Sequence, residues 1–260
     1  MLKFCVQRVN SRYFINIMFR GTHYHGWQKQ PGSLSVQEVI EDALSVILRE
    51  KVSLTGAGRT DTGVHSSSYF AHFDSSHHEL HSNKGLVKRI NKYLPCDIAV
   101  SEIRKVNNDA HARFNAISRT YKYFIVTRKD PFRTETAWYI DYLPDTGLMN
   151  KACQILMEYN DFTSFARLHS NAKTNICRIF EAGWTYEADS LIVFTITADR
   201  FLRNMVRAIT GTMIDVGRGK TSLEEFRRII EDKNRGRAGK SAPACGLFLT
   251  DIRYPEDIFS

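Results

Sequence analysis

The sequence predicts an α+β fold of two tandem halves, each running β-α-β-β-α-β in the split ferredoxin-like pattern with antiparallel sheets. Three observations predict it. Short segments with alternating apolar residues read as half-buried strands, and segments with apolar residues at helical spacing read as amphipathic helices. The same order of elements then occurs twice, once in residues 1–110 and again in residues 111–260.

In the first half, Tyr13, Ile15, Ile17 and Phe19 alternate along a strand. After the loop GTHYHGWQKQPGSLS, Ser35 and Glu38 have capping-box spacing, and Val36, Val39, Ile40, Ala43, Leu44 and Ile47 carry a helix to about Arg49. Residues 52–55 and 64–73 read as strands on either side of GAGRTDTG. A helix over 84–93, with Leu86, Val87 and Ile90, stops before Pro95, and 98–103 reads as a strand. In the second half, Arg119, Tyr121, Tyr123 and Ile125 alternate. Leu148, Ala152, Ile155, Leu156 and Tyr159 form a helical stripe, and strands over 178–186 and 191–198 meet at the turn EADS. Leu202, Met205, Val206, Ile209, Met213 and Val216 give a helix closed by Gly217 and Gly219. Ser222 and Glu225 start a shorter helix, and residues 247–254 form the last strand.

The 260 residues are 43% hydrophobic and 25% charged, which places the chain among globular proteins and excludes a disordered one. Cys5, Cys96, Cys153, Cys177 and Cys245 are odd in number and scattered, with no C-x-x-C pair, so neither a disulfide framework nor a zinc ribbon is expected. Cys245 reads as a small apolar residue rather than a nucleophile. In His77-His78-Glu79-Leu80-His81 the H-E-x-x-H spacing is missing, so a solvated loop and no metal are expected. No stretch reaches the ~20 apolar residues of a membrane span, and a reduced, cytoplasmic chain is expected.

Lys+Arg number 36 against 28 Asp+Glu, a formal charge of +8. Residues 200–240 hold 11 of these cations against 5 acids. Such a stretch fits either a solvated face or a surface that contacts the phosphates of a polyanion.

The densest signal is Gly56-Ala57-Gly58-Arg59-Thr60-Asp61-Thr62-Gly63, followed by Val64-His65. Its glycines permit close backbone approach around a projecting Arg and Asp. A phosphate cradle would need the lysine of G-x-x-x-x-G-K-[ST], and a dinucleotide loop would need G-x-G-x-x-G opening a helix. Neither pattern is met. A hairpin loop with solvated Arg59 and Asp61 stays open, as does a carboxylate poised as nucleophile or base.

Further segments follow in order: Gly21-Thr22-x-Tyr24-x-Gly26-Trp27-Gln28-x-Gln30, then His111-Ala112-Arg113-Phe114 with Arg119-Thr120-Tyr121-Lys122-Tyr123, then Asp161-Phe162-Thr163-Ser164-Phe165, Phe201-x-x-x-Met205-Val206-Arg207 and Ala242-Pro243-Ala244-x-Gly246-Leu247. With GAGRTDTGVH they resemble the TruA family, the tRNA pseudouridine synthases that act on uridines 38 to 40 of the anticodon arm. The resemblance spans residues 12–254. Arg20 stands where that family usually has Asp, and Thr62 and Ser66 where it commonly has Ala.

The resemblance implies that a uridine's N-glycosidic bond is broken and the base rejoined through carbon 5, with no cofactor and no metal. It makes Asp61 the nucleophile, leaving open whether the carboxylate attacks ribose or base or assists an elimination. Tyr121 is expected to pack on the target uracil and Arg207 to pair with Asp61. Arg59 is expected to help displace the base or to contact the RNA backbone. A homodimer with an active-site cleft between the halves, binding the tRNA anticodon stem-loop, completes the expectation. The rival reading, an RNA-binding module without catalysis, leaves the set Asp61, Arg59, Tyr121 and Arg207 unexplained, and an RNP1 pattern is missing.

Overall fold

The computed structural model describes residues 10–83, 85–167, 173–188 and 190–259. The expected helix start at Lys84, the Asp189 of EADS and Cys5 lie outside them. The first half runs β1 (Ser11–Phe19), α1 (Val36–Leu48), β2 (Thr55–Gly56), β3 (His65–Ser75), α2 (Leu86–Tyr93) and β4 (Ile98–Val106). The second runs β5 (Ser118–Val126), β6 (Trp138–Tyr139), α3 (Thr146–Met157), β7 (Ile179–Ala188), β8 (Leu191–Ala198), α4 (Met205–Gly217), α5 (Leu223–Glu231) and β9 (Leu247–Arg253).

The strands form one open, mainly antiparallel sheet in the order β4-β1-β3-β9-β5-β8-β7, with β2 on β3 and β6 on β5. The two expected sheets are therefore one. The reason lies in β2, which covers β3 only at Ala71 and His72 and leaves the other end of that edge open. An unpaired edge attracts another strand. β9 fills it in parallel, pairing His65 with Phe248 and Ser66 with Leu249, and the Ser66 hydroxyl donates to the Leu249 carbonyl at 2.8 Å.

β2 is shorter than expected because its neighbours' amides bond to side chains instead of a ladder. The Val52 N–H donates to Ser45 Oγ at 3.0 Å, and the Leu54 N–H to Glu41 Oε1 at 2.8 Å. Ser35 and Ser222 cap α1 and α5, accepting from the N–H of Glu38 and Glu225. α4 begins at Met205 rather than Leu202, since Asn204 takes a left-handed conformation with φ 66°.

Core residues of the first half, from Tyr13 to Ala112, are joined by Leu249 and Ile252 of β9, whereas Leu247 joins the core built from Tyr123 to Ala242. β9 thus packs on both, and the half-buried Tyr121 touches both. Among the described residues no helix is long and apolar enough to cross a membrane.

Candidate active site

Glycines allow the GAGRTDTG loop and the segment before α1 to pack closely together. A Cβ on Gly56 would lie 2.1 Å from the Tyr69 hydroxyl and 2.4 Å from the Trp27 indole nitrogen. Those two rings stack at 4.1 Å, and the Tyr69 hydroxyl donates to the Gly58 carbonyl. Gly26, at φ +85°, lies against the Thr60 carbonyl, which a Cβ would approach to 2.2 Å. The Val64 N–H closes the turn on the Asp61 carbonyl at 3.2 Å.

His65 ties this loop to the C-terminal segment. Its Nδ1 accepts from the Gly21 N–H at 2.9 Å, which leaves the proton on Nε2 to donate to the Cys245 carbonyl at 3.0 Å. Burial holds this imidazole below the usual histidine pKa.

Asp61, 23% exposed, receives arginines on both oxygens. Arg207 Nη1 is 3.6 Å from Oδ2, and Arg203 Nε is 3.5 Å from Oδ1. Arg207 is itself fixed, its Nε donating to the Ala242 carbonyl at 2.7 Å while the Ala242 N–H returns to the Arg207 carbonyl at 2.9 Å. The family resemblance pairs Arg207 with Asp61 but gives Arg203 no role. The four-residue spacing of the two arginines was the available signal.

On β5, Arg119, Tyr121 and Tyr123 share a face. Tyr123 is fully buried and donates to the Pro243 carbonyl at 2.7 Å. Arg119 donates to the carbonyls of Ala57, Arg113 and Asp199 at 3.2, 2.8 and 2.8 Å, locking β5 to the glycine loop. Tyr121 lies between, its ring meeting Phe201 edge-on at 5.1 Å. Burial pushes its phenol up to about 12, with Arg119 opposing and the Asp61 charge adding to the rise. Arg59 is exposed, with no ion pair or hydrogen bond among the described residues.

Other sequence candidates resolve differently. Arg20 pairs with Glu135 at 3.4 Å. Within 200–240, Arg227, Arg228, Lys233 and Arg237 pair with Glu158, Glu224, Asp161 and Asp232, so part of the local charge is neutralised. Arg235 caps the carbonyls of Ala238 and Gly239. Phe162 and Phe165 serve the core. His77 and His78 bond to the Leu48 carbonyl and Ser11 hydroxyl. Burial raises the Cys245 thiol pKa. The described residues hold no cluster of three or more His, Cys, Asp or Glu able to bind a metal.

The family model described as tRNA pseudouridine synthase matches residues 15–115 and 152–255. A curated relative named tRNA pseudouridine synthase A from Bacteroides fragilis is 52% identical over 96% of this chain and 98% of its own. Its namesake from Bacteroides thetaiotaomicron is 52% identical over 96% of this chain and 93% of its own. Another from Caldicellulosiruptor bescii is 39% identical over 92% and 98%. Such identity over nearly the full length of each relative assigns the chain to the tRNA pseudouridine synthase family.

Proposed function

We propose that this protein isomerises uridine to pseudouridine at positions 38, 39 and/or 40 of the tRNA anticodon stem-loop, with Asp61 as nucleophile. The observation that carries the reading is the Asp61 carboxylate held between Arg203 and Arg207 beside the half-buried Tyr121. A carboxylate fixed by two guanidiniums is aimed, and one carboxylate can attack and later leave. The isomerisation conserves every atom. The C1′–N1 bond breaks, N1 takes a proton, and C5 bonds to C1′ and loses its own proton. No net electron transfer occurs, so the chemistry calls for no redox cofactor.

Tyr121 would stack on the uracil, since a base taken out of its helix is held by an aromatic face. Arg59, free at the loop tip, would fill the place of the displaced base or grip the backbone. We read the halves, divided near residue 110, as duplicated ferredoxin-like units. The orders β4-β1-β3-β2 and β9-β5-β8-β7 support that reading. A cytoplasmic homodimer, with one L-shaped tRNA reaching both subunits, completes it.

The test is to incubate unmodified tRNA transcripts with the wild type and with Asp61→Ala, and to map pseudouridine at nucleotide resolution. Product at 38–40 with wild type alone is expected. Turnover by Asp61→Ala removes Asp61 from the mechanism, and tight binding by a wild type that forms no product favours the RNA-binding module.

A further inference from the structure

The turn His111–Asn115 precedes β5 and is fixed at nearly every residue. The Asn115 side chain accepts from the His111 N–H at 2.6 Å, and the Asn115 N–H donates to the His111 carbonyl at 3.1 Å. His111 Nδ1 accepts from the Arg113 and Phe114 N–H groups at 3.1 and 3.4 Å. The fully buried Ala112 gives its N–H to His72 and its carbonyl to the Tyr254 hydroxyl. At the apex of this rigid turn stands Phe114, 74% exposed, its ring against His111 at 4.3 Å. Arg113 is exposed beside it, 5.6 Å from the ring centre, with no acid paired to it among the described residues.

The turn adjoins the active site. One nitrogen of Arg119 reaches both the Arg113 carbonyl and the Ala57 carbonyl of the glycine loop. Arg119 precedes Tyr121 by two residues on the same strand face, about 7 Å along the strand. An immobilised aromatic ring left in water beside a free guanidinium has the chemistry of a nucleobase platform, the ring taking the base and the arginine the phosphate.

We propose that Phe114 and Arg113 form a second RNA subsite, where Phe114 stacks on an unpaired base neighbouring the target uridine and Arg113 holds its phosphate. The proposal deepens the reading of the preceding subsection and rests on it.

The experiment measures binding of a fluorescently labelled, unmodified tRNA transcript to wild type, Phe114→Ala, Phe114→Trp and Arg113→Ala across a salt series. Stacking predicts that Phe114→Ala weakens binding about ten- to a hundredfold with an unchanged salt slope, and that Phe114→Trp restores it. Arg113→Ala should reduce the slope of log Kd against log salt by about 0.7–0.9, one phosphate's worth. Circular dichroism melting should match the wild type for both alanine variants.

Wild-type binding by Phe114→Ala overturns the proposal. So does a changed oligomeric state of Phe114→Ala in light scattering, which would make the ring a contact between copies of the chain. Pseudouridine mapping with wild type on the same transcript is read separately. Its failure refutes the function reading, whereas the Phe114 binding data alone decide the platform.

Discussion

Arg207 links Asp61 to the chain's C-terminal segment, standing 3.6 Å from the carboxylate while its Nε donates to the Ala242 carbonyl at 2.7 Å. Lysine supplies a charge but not this second bond. Arg207→Lys should therefore fold and bind tRNA yet lose about 10²–10³-fold in single-turnover rate. Arg203→Ala, removing the more exposed partner, should cost on the order of tenfold. Equal losses would mean that the Ala242 anchor contributes nothing.

Tyr121 has no hydrogen-bond partner for its hydroxyl among the described residues, and its phenol is pushed up to about 12. If stacking is its work, Tyr121→Phe should stay within about tenfold of wild-type turnover and Tyr121→Ala should fall much further. The rate profile should show no tyrosine limb between about pH 8 and 10. Complete loss in Tyr121→Phe would assign the hydroxyl a chemical role.

Gly26 and Gly32 both have positive φ, +85° and +72°, but only Gly26 faces backbone at close range. Gly32→Ala should cost about 1 kcal/mol by chemical denaturation and leave turnover intact. Gly26→Ala should cost more and slow catalysis, because it displaces the Thr60 carbonyl next to Asp61. Similar behaviour of the two variants would show that the loop yields easily.

His72 accepts the Ala112 N–H at 3.1 Å, and burial foremost lowers its pKa from 6.5 to about 4. Its stabilisation is present above the unfolded pKa. It is lost as pH falls from about 6.5 towards 4, because the unfolded chain takes up the proton first. The loss should be on the order of 2–3 kcal/mol, and His72→Asn should flatten the pH dependence seen in urea titrations. An unchanged slope would exclude His72 as its source.

Raising salt from about 50 to about 200 mM should weaken tRNA binding by powers of ten if several phosphates are held. Arg227→Ala, whose charge is already matched by Glu158, should leave that slope unchanged, whereas Arg59→Ala should reduce it. A flat salt response in the wild type would discard the basic-surface reading.

The legible parts of this protein were those set by near neighbours in sequence. Alternation marked β1 and β5, serine spacing marked the starts of α1 and α5, and the glycine loop marked the place of Asp61. The pairing of Arg207 with that carboxylate was implied only by the family resemblance, since the residues alone read as an exposed helix arginine. What stayed hidden depended on residues distant along the chain. Arg203 and Asp61 are 142 residues apart, and they meet only because α4 is seated on the segment that ends in β9.

By itself, then, the sequence determined the main helices and strands and, through its ordered motifs, the resemblance to the family, since period, capping and motif spacing are local properties of the chain. Tertiary structure alone decided that the halves share one sheet, because β2 is too short to cover β3 and an open edge recruits β9. It also separated Tyr121 from Tyr123, which look alike on one strand face. Packing buries Tyr123 against Pro243, while Tyr121 is left where the two cores meet, beside Phe201 and within the field of Asp61.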